Sequence, residues 1–379
     1  MPKVSVILSV HNGERFLGQA VRSILGQTFR DFELLIVDDA SRDGTREIIE
    51  SSGDPRIRLI ANASRLGLTR SLNKALALAA GDIIARLDHD DFAVPQRLEA
   101  QVRFLDGHRE VGAVGSDLWI LESSGRKLRD RQPVDDLQCR WQLLFDSPIA
   151  HPASAYRAEL ATRLGGYDDN IHYAQDYDLW SRMAQVARLA NIPEPLTVRR
   201  APHEGSVTTK HLASQIAIAE TVSVKNVRRL LDASGGPDPG WADEDIQSLR
   251  RLLVGGSPLG EIPDAGALPA MLPRLFTRFE SAMSPTPDAL GRVRRWIGHD
   301  WMRVASFRGS EDRRLAIRLA WLALGLSPGA ALSPSMAKLA LRLVGGRATD
   351  HLLHRLTGGR RGRRVERWKT IIPLGKAGQ

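Results

Sequence analysis

The strongest constraint on the fold of this chain is the alternation of apolar strand patterns and amphipathic helix patterns over its first 120 residues. Apolar runs such as "VSVILSV" (4–10) and "FELLIV" (32–37) are followed by segments whose apolar residues recur at helical spacing. Strands that alternate with helices form a mainly parallel sheet covered on both faces. We therefore predict an α/β, Rossmann-like fold: a mostly parallel sheet with helices on both faces. The predicted strands are 4–10, 32–37, 56–61, 82–88 and 111–121, and the predicted helices are 16–25, 41–50, 69–80 and 95–105.

The pattern changes twice further along the chain. Between about residues 130 and 200 we predict a strand at 148–157, a helix at 174–187 and a pair of short strands at 187–200 around two prolines. Beyond about residue 210 the chain has helical patterns separated by Gly/Pro-rich breaks. These changes predict two domains, a catalytic domain over 1–209 and an all-helical C-terminal region over 210–379.

Polar side chains gather where three of the predicted strands end. Ligands of such sheets bind at the carboxyl ends of the strands. Turn chemistry alone favours Asp and Asn, so one such group would be weak evidence, but three at equivalent ends predict a binding site. The groups are Ser9, His11 and Asn12 after the first strand, Asp38 and Asp39 after the second, and Asp88, His89, Asp90 and Asp91 after the fourth.

Each candidate has an ordinary structural explanation. The D-x-D of Asp88 and Asp90 suits a hard divalent cation such as Mg²⁺ or Mn²⁺, or it is an acidic turn that caps the next helix. Asp39 is a nucleotide contact or a helix cap. Asp176 lies in the first turn of a predicted helix, where the helix dipole favours an acid in any case, and Asp178 serves as its control. His203 is a candidate third metal ligand or an exposed loop histidine.

Charge and composition exclude some classes of protein. The single cysteine, Cys139, allows no intrachain disulfide, and the chain opens on a strand pattern without a signal peptide, so we expect a cytoplasmic protein. The net charge of +9 lies wholly in the tail, because residues 301–379 carry 16 Lys and Arg against 4 Asp and Glu. The slightly acidic remainder argues against nucleic-acid binding.

The basic tail predicts attachment to a membrane surface. Residues 358–379 combine six closely spaced cationic side chains with Trp368 and two isoleucines. Such segments are attracted to anionic lipid, here the inner face of the cell membrane, but a solvated basic helix end is an equal alternative. Vesicle flotation before and after deletion of residues 358–379 tests this prediction, and unchanged flotation would remove it.

Several segments in order resemble glycosyltransferase family 2, a large inverting family with the GT-A fold. They are "PKVSVILSVHNGERFLGQAVRSILGQTFRDFELLIVDDASRDGT", "NASRLGLTRSLNKALALAAGDIIARLDHDDFAVPQRLEAQVRFL" and "HPASAYRAELATRLGGYDDNIHYAQDYDLWSRMA", ending near "HEGSVT". The resemblance covers roughly residues 2–208. It implies a GT-A catalytic domain followed by the helical region.

The resemblance also implies a role for each candidate residue. The nucleotide would be held by Ser9, His11, Asn12, Asp38 and Asp39, with Asp39 at the base and Arg65 nearby. Asp88 would face the ribose with His89 beside it, Asp90 and His203 would bind the metal, and Asp176 would be the catalytic base. The chain departs from the family pattern at three positions. His11 replaces the usual Tyr, His89 a small residue, and Gln175 the usual Glu.

The implied activity is transfer of a sugar from a nucleotide-diphosphate sugar to an acceptor hydroxyl. The favoured donor is a UDP-sugar, and the expected cofactor is Mn²⁺ or Mg²⁺. The expected partner is a glycan or lipid-linked acceptor in the synthesis of cell-surface polysaccharide, lipopolysaccharide or glycolipid. One alternative is a non-catalytic GT-A module that binds nucleotide or glycan as a scaffold. Another is a nucleotidyltransferase, but "SVHNGERF" is a poor phosphate-binding loop.

Overall fold

The computed structural model describes residues 1–202, 207–254, 262, 265–309 and 311–345. The chain forms two compact units, one of residues 1–250 and 277–286, the other of 251–276 and the chain from 287 onward. The first unit includes the segment Val207–Ala233, which is helical on either side of a kink at His211, and the predicted domain boundary at 209/210 stays a prediction. His203 and the basic tail at 358–379 lie outside the described residues.

The first unit is built on a mixed sheet, which has nine strands within the described residues. Its strands are β1 (Val4–Val10), β2 (Phe32–Asp38), β3 (Ile57–Ala61), β4 (Ile83–Arg86), β5 (Phe92–Ala93), β6 (Val111–Leu121), β7 (Lys127–Asp130), β8 (Ala155–Arg157) and β9 (Arg188–Arg200). The order across the sheet is β3-β2-β1-β4-β8-β6-β9-β5, with β7 beside β6. The strands β3, β2, β1 and β4 are parallel, so the predicted parallel sheet is confirmed for this half.

The other half of the sheet is mixed. β8 runs antiparallel to both β4 and β6, and β5 runs antiparallel to β9, while β6 and β9 are parallel. The helices of the described residues are α1 (Leu17–Leu25), α2 (Thr45–Glu50), α3 (Leu68–Leu78), α4 (Arg97–Gly107), α5 (Asp136–Gln142), α6 (Ala158–Arg163), α7 (Gln175–Met183), α8 (Val207–Ala233), α9 (Asp243–Val254), α10 (Met271–Met283), α11 (Pro287–Arg308), α12 (Arg313–Leu326) and α13 (Pro334–Gly345).

Helices cover both faces of the sheet, as the strand composition predicts. Every residue of β1 is buried, and its side chains alternate between two apolar clusters. Ile7 packs in a cluster with Leu72 of α3 and Trp180 of α7, whereas Leu8 packs in another with Val21 of α1. Each such side chain contributes about 1.5–3 kcal/mol when fully buried. The alternation fixes the register of β1, because a slip by one residue would exchange the two faces.

Two predicted elements are wrong in detail. The strand expected at 148–157 is a 3₁₀ turn at His151–Ala153 followed by the three residues of β8, because Pro152 has no N–H to donate to a ladder. The pair of strands expected at 187–200 is the single strand β9. Its register against β6 jumps from Ile192 to Pro195, so the chain accommodates Pro193 in a bulge instead of ending the strand.

The second unit is helical in the described residues, as predicted beyond residue 210. α11 packs along α12 and α13 through buried side chains that include Ile297, Trp301 and Leu319. Asp312 caps α12, accepting a hydrogen bond from the Leu315 N–H at 3.0 Å. Within the described ranges, the helices are all too short or too polar to cross a bilayer.

Candidate active site

Two loops at the carboxyl edge of the sheet are joined by hydrogen bonds. The loop after β1 and the loop after β2 lie side by side because the two strands pair in parallel, Val10 opposite Asp38. The Asn12 N–H donates to Ser41 Oγ at 2.9 Å, and the Arg42 N–H donates to Asn12 Oδ1 at 2.9 Å. The Gly13 N–H donates to Thr45 Oγ1 at 2.8 Å. These bonds hold the first two predicted groups of polar residues in one rigid edge.

Three residues around this edge adopt the left-handed backbone conformation, although none is glycine. Asn12 follows β1 with φ of 53°, Ala40 follows β2 with φ of 58°, and Ala174 precedes α7 with φ of 54°. An L-residue in this conformation costs roughly 1–2 kcal/mol. Strain of this kind concentrates at functional sites, where the surrounding structure holds it in place. The three positions therefore mark the edge that carries the candidate residues.

Gly13 allows the first loop to approach the carboxylate loop. A Cβ at this position would lie 2.3 Å from Val10 Cγ2 and 2.8 Å from His89 Cδ2. We expect Gly13→Ala to lower the free energy of unfolding by about 1–3 kcal/mol, because the branched Val10 side chain cannot move aside. Urea unfolding measures the change. Gly107→Ala is the control, since a Cβ there meets no atom within 4 Å. Equal stability of both variants would contradict the close approach.

Asp39 organises the segment that carries Arg65. Its carboxylate is 3% exposed, and Oδ1 accepts hydrogen bonds from Asn62 Nδ2 at 2.9 Å and the Leu66 N–H at 2.8 Å. Oδ2 accepts from the Gly67 N–H at 2.9 Å. Burial opposes ionisation, but these donors together outweigh it and lower the pKa of Asp39. The Ser71 side chain is a fourth donor to this carboxylate.

The structural alternative for Asp39, a helix cap, is not observed. α2 begins at Thr45 with Gly44 as its N-cap and without a side-chain cap. Asp38 is also buried, and its Oδ1 accepts from the Ser41 N–H at 3.0 Å. The remaining predicted nucleotide contacts lie at the same edge. Ser9 is buried near the end of β1, and Arg65 is exposed in the loop that precedes α3.

His11 has a defined tautomer in this arrangement. Its Nδ1 lies 2.8 Å from the main-chain oxygen of Asp39. A carbonyl oxygen can only accept, so Nδ1 must carry the proton and Nε2 is an acceptor in the neutral ring. Nε2 lies 3.4 Å from the side-chain amide of Asn12. His11 therefore links the two loops and keeps an acceptor near the edge.

The carboxylates that follow β4 form a cluster. Oxygen atoms of Asp88, Asp90 and Asp91 lie within 4.8 Å of one another. Asp91 is buried and accepts from the Arg200 N–H at 2.9 Å. Burial, together with the charges of Asp88 and Asp90, raises the pKa of Asp91 well above its usual range. An all-oxygen donor set of this kind fits a hard divalent cation, which would also relieve the repulsion.

The acidic residues do not cap the following helix. α4 begins at Arg97, and its N-cap Gln96 makes no side-chain capping bond. The alternative explanation of the D-x-D as a cap is therefore not what the structure contains. His89 lies between the aspartates and faces Gly13 of the first loop.

A buried arginine lies directly beside the carboxylate cluster, and sequence reasoning did not find it. Arg86 is 1% exposed at the end of β4, and its Nη1 forms an ion pair with Asp88 Oδ1. A second buried arginine, Arg97, supports it. Arg97 Nη2 donates to the main-chain oxygen of Arg86 at 2.5 Å and to that of Ser154 at 3.1 Å. The available signal was an arginine inside an apolar strand, two residues before the first aspartate.

Asp176 lies in the first turn of α7, as predicted. Two buried aromatic residues anchor this helix, since Tyr177 Oη donates to the Leu143 oxygen at 2.7 Å and Trp180 Nε1 to the Ile149 oxygen at 3.2 Å. Burial raises the pKa of Asp176 to about 6, although the Tyr177 N–H and the charge of Arg86 act in the opposite direction. A carboxylate with a pKa near 6 is mostly ionised at pH 7 and is suited to accept a proton.

Asp178, the control for Asp176, is paired with an arginine of its own helix. Asp178 Oδ2 accepts from Arg182 Nε at 2.8 Å. The same arginine donates to the main-chain oxygens of Leu164 and Gly166, both at 2.8 Å. The pair therefore stabilises the turn before α7.

A buried polar network, also missed from the sequence, lies within the electrostatic reach of Arg86. His151 Nε2 is 2.9 Å from Tyr167 Oη, which is 3.0 Å from Tyr156 Oη. Burial, with a smaller contribution from the charge of Arg86, lowers the pKa of His151 well below its usual range. The ring is therefore neutral at physiological pH, and the network adds no second positive charge beside Arg86.

The chain is similar in sequence to known glycosyltransferases. Residues 5–160 match the family model described as glycosyl transferase family 2. The chain is 37% identical over 201 residues to the putative glycosyltransferase EpsE of Bacillus subtilis (strain 168), covering 52% of this chain and 72% of that protein. It is 26% identical over 202 residues to the amylovoran biosynthesis glycosyltransferase AmsE of Erwinia amylovora, covering 52% and 76%.

A solved structure has the same fold. The crystal structure of S. aureus TarS 1–349 in complex with UDP-GlcNAc superposes with a TM-score of 0.53 at 17% identity, over 87% of this chain and 92% of that one. The mixed sheet with its polar edge is thus a GT-A fold. The chain belongs to glycosyltransferase family 2. The resemblance noted from the sequence is confirmed, and so is its assignment as a glycosyltransferase.

Proposed function

We propose that the chain is an inverting glycosyltransferase that moves a sugar from a nucleotide-diphosphate sugar to an acceptor hydroxyl. The observation that carries this proposal is the contrast between two carboxylates that the charge of Arg86 influences. Asp88 forms an ion pair with Arg86, and Asp176, within reach of the same charge, has a pKa raised to about 6. One carboxylate is thereby held in place, while the other keeps the basicity that a proton acceptor needs.

Asp176 is the proposed base. It accepts the proton of the acceptor hydroxyl while that oxygen forms a bond to the anomeric carbon. The bond from the anomeric carbon to the diphosphate oxygen breaks, and the nucleoside diphosphate leaves with the electron pair. Since the attack comes from the face opposite the leaving group, one displacement inverts the configuration. Only one carboxylate is required near the sugar.

Asp90, with oxygens of Asp88 and Asp91, would hold a Mg²⁺ or Mn²⁺ ion. The all-carboxylate donor set and the raised pKa of Asp91 support this assignment. A divalent cation bound there supplies positive charge for the departing diphosphate. His203, the other predicted metal ligand, lies outside the described residues.

A uridine nucleotide fits the proposed base contact. Asp39 is a buried carboxylate at the polar edge, held in place by Asn62, Ser71 and the N–H groups of Leu66 and Gly67. A uracil ring presents an imide N–H, which a carboxylate accepts. The proposed contact is between Asp39 and this N–H. Asp38, His11, Asn12 and Ser9 complete the nucleotide side of the edge, with Arg65 in the segment that Asp39 fixes.

The acceptor is proposed to be a growing glycan. The named process of the relative AmsE, amylovoran biosynthesis, supports an acceptor in polysaccharide synthesis. A lipid-linked acceptor would also explain the basic tail, whose attachment to a membrane stays a prediction from the sequence.

The test is release of nucleotide from a panel of UDP-, GDP- and dTDP-sugars with Mn²⁺ or Mg²⁺. We expect metal-dependent release of UDP from one donor, increased by a glycan acceptor and lost in Asp176→Asn. Product analysis by NMR reports the anomeric configuration, and retention would contradict single displacement. Binding of a nucleotide-sugar without turnover by any acceptor would favour the scaffold, and GDP release would contradict the proposed contact between Asp39 and uracil.

A further inference from the structure

Arg86 is buried without the partners that a buried arginine ordinarily needs. Its side chain is 1% exposed, and Nη1 faces Asp88 Oδ1. Among the described residues, Nε has no hydrogen-bond acceptor. A guanidinium has five donor positions, and each buried position without an acceptor costs free energy. Folding stability therefore does not explain Arg86, because an apolar side chain of similar volume is often as good or better at such a place.

Arg97 shows what a structural arginine does at the same depth. It is as buried as Arg86 and also has one nitrogen, Nη1, without an acceptor among the described residues, but its other donors join separate elements. They reach the main-chain oxygens of Arg86 and Ser154 and, at 3.1 Å, the side chain of Gln101. Arg97 thus cross-links β4, α4 and the turn before β8. It also holds the backbone of Arg86 in position, whereas the Arg86 guanidinium is directed to Asp88 alone.

The charge of Arg86 reaches groups on several elements around the site. It favours ionisation of Asp176 at the start of α7 and disfavours protonation of His151. The other groups that act on Asp176 are the Tyr177 N–H, which also favours ionisation, and Asp146, which opposes it. Ser147 Oγ lies 3.5 Å from Asp176 Oδ2, and Tyr167 is within electrostatic reach. Arg86 is the one cation that influences Asp176 among these groups.

We propose that Arg86 is a positioning residue for the transfer reaction, a buried cation whose ion pair fixes the Asp88 carboxylate on the donor side. The inference rests on the proposed function. It assigns Arg86 a role through a carboxylate, not contact with the substrate, and the effect of the same charge on Asp176 supplies a readout. It also explains why an arginine and not a lysine stands here, because a guanidinium keeps its proton even when it is fully buried.

The test compares Arg86→Met with Arg86→Lys and with the control Arg97→Lys. In the native chain, kcat should decrease toward acid pH with an apparent pKa near 6. In Arg86→Met we expect the apparent pKa of this acid limb to rise by about one unit. The rate then falls about 10-fold at pH values on the limb and much less at pH 9. Arg86→Lys should return the limb only in part, since a buried ammonium loses its proton more readily than a guanidinium.

A second measurement does not depend on turnover. Titration calorimetry of UDP with Mn²⁺ should show weaker binding to Arg86→Met, by about 10-fold, because Asp88 is no longer fixed. Arg97→Lys should lower the melting temperature but change the pH limb and the UDP affinity less than Arg86→Met does, because Arg97 supports only the backbone of Arg86. If Arg86→Met does not unfold cooperatively, Arg86→Gln replaces it, since glutamine removes the charge and keeps a polar group.

The outcomes separate this inference from the function it rests on. A pH limb that stays in place in a folded charge-removing variant, or a rate loss that is equal at every pH, would overturn the role of Arg86. A native chain that releases nucleotide from no donor would remove the proposed function. UDP binding would then still decide whether Arg86 fixes Asp88, and equal affinity of the native chain and the variant would overturn that too.

Discussion

Asp176→Asn is expected to lower kcat by about 10²–10⁴-fold while donor affinity changes less than about twofold. The range is the usual contribution of a positioned base, which asparagine cannot replace because it does not accept a proton. Asparagine has nearly the same shape, and the buried anchors of α7, Tyr177 and Trp180, are untouched. Steady-state release of UDP gives kcat, and titration of UDP-sugar by calorimetry gives the affinity.

Asp178→Asn is the matched control for this variant. It lies in the same turn of α7, but its carboxylate pairs with Arg182. We expect kcat within about twofold of the native value and a loss of stability under about 1 kcal/mol, as for other partly exposed ion pairs. Equal losses of activity in the two variants would indicate damage to the helix. Full activity of Asp176→Asn would place the base elsewhere.

Asp90→Ala is expected to remove the response of the enzyme to divalent cations. The lost charge stabilisation of the leaving diphosphate corresponds to a decrease of about 10²–10³-fold in kcat/KM, several kcal/mol. Removal of metal from the native protein by EDTA should produce a decrease of similar size, and EDTA should have little further effect on the variant. Rates with and without Mn²⁺, for both proteins, test this.

The control for the second variant is Asp82→Ala. Asp82 lies just before β4, at the opposite end of the strand, and its side chain is largely exposed with Lys3 at 3.8 Å. We expect the native metal response in this variant. A full metal response in Asp90→Ala would mean that the carboxylate cluster does not hold the cofactor.

The strands that were predicted correctly are those with an apolar sequence run that is buried on both faces of the sheet. β6 was predicted at 111–121 and extends over Val111–Leu121, and β1 agrees equally well. The local sequence pattern predicted the strands less well where the pairing between strands is irregular. The turn at His151–Ala153 and the bulge of β9 at Pro193 depend on neighbouring strands that are distant in the chain. Whether a proline ends a strand or is accommodated in a bulge cannot be predicted from the sequence of that segment alone.

The acidic residues of the candidate site were predictable from the sequence, but the buried Arg86 was not. Asp88, Asp90 and Asp176 follow from motifs at strand and helix ends, whereas Arg86 was taken as part of an apolar strand. Its partner is only two residues away, but its burial is produced by packing against α4 and the turn before β8. The bond between Asp91 and the Arg200 N–H spans 109 residues, so no local pattern could indicate it.

The three residues with a left-handed backbone at this edge limit how the protein could be stabilised at higher temperature. Asn12, Ala40 and Ala174 each hold a conformation that glycine adopts without strain. Glycine at these positions would release roughly 1–2 kcal/mol of strain in the native state, but it would also give the unfolded chain more freedom and loosen the edge. Evolution of this enzyme toward higher temperature therefore has little to gain from relaxing these loops. We expect adaptation to proceed through the helices and the sheet, while the strained residues persist because they hold the two loops and the start of α7 in place.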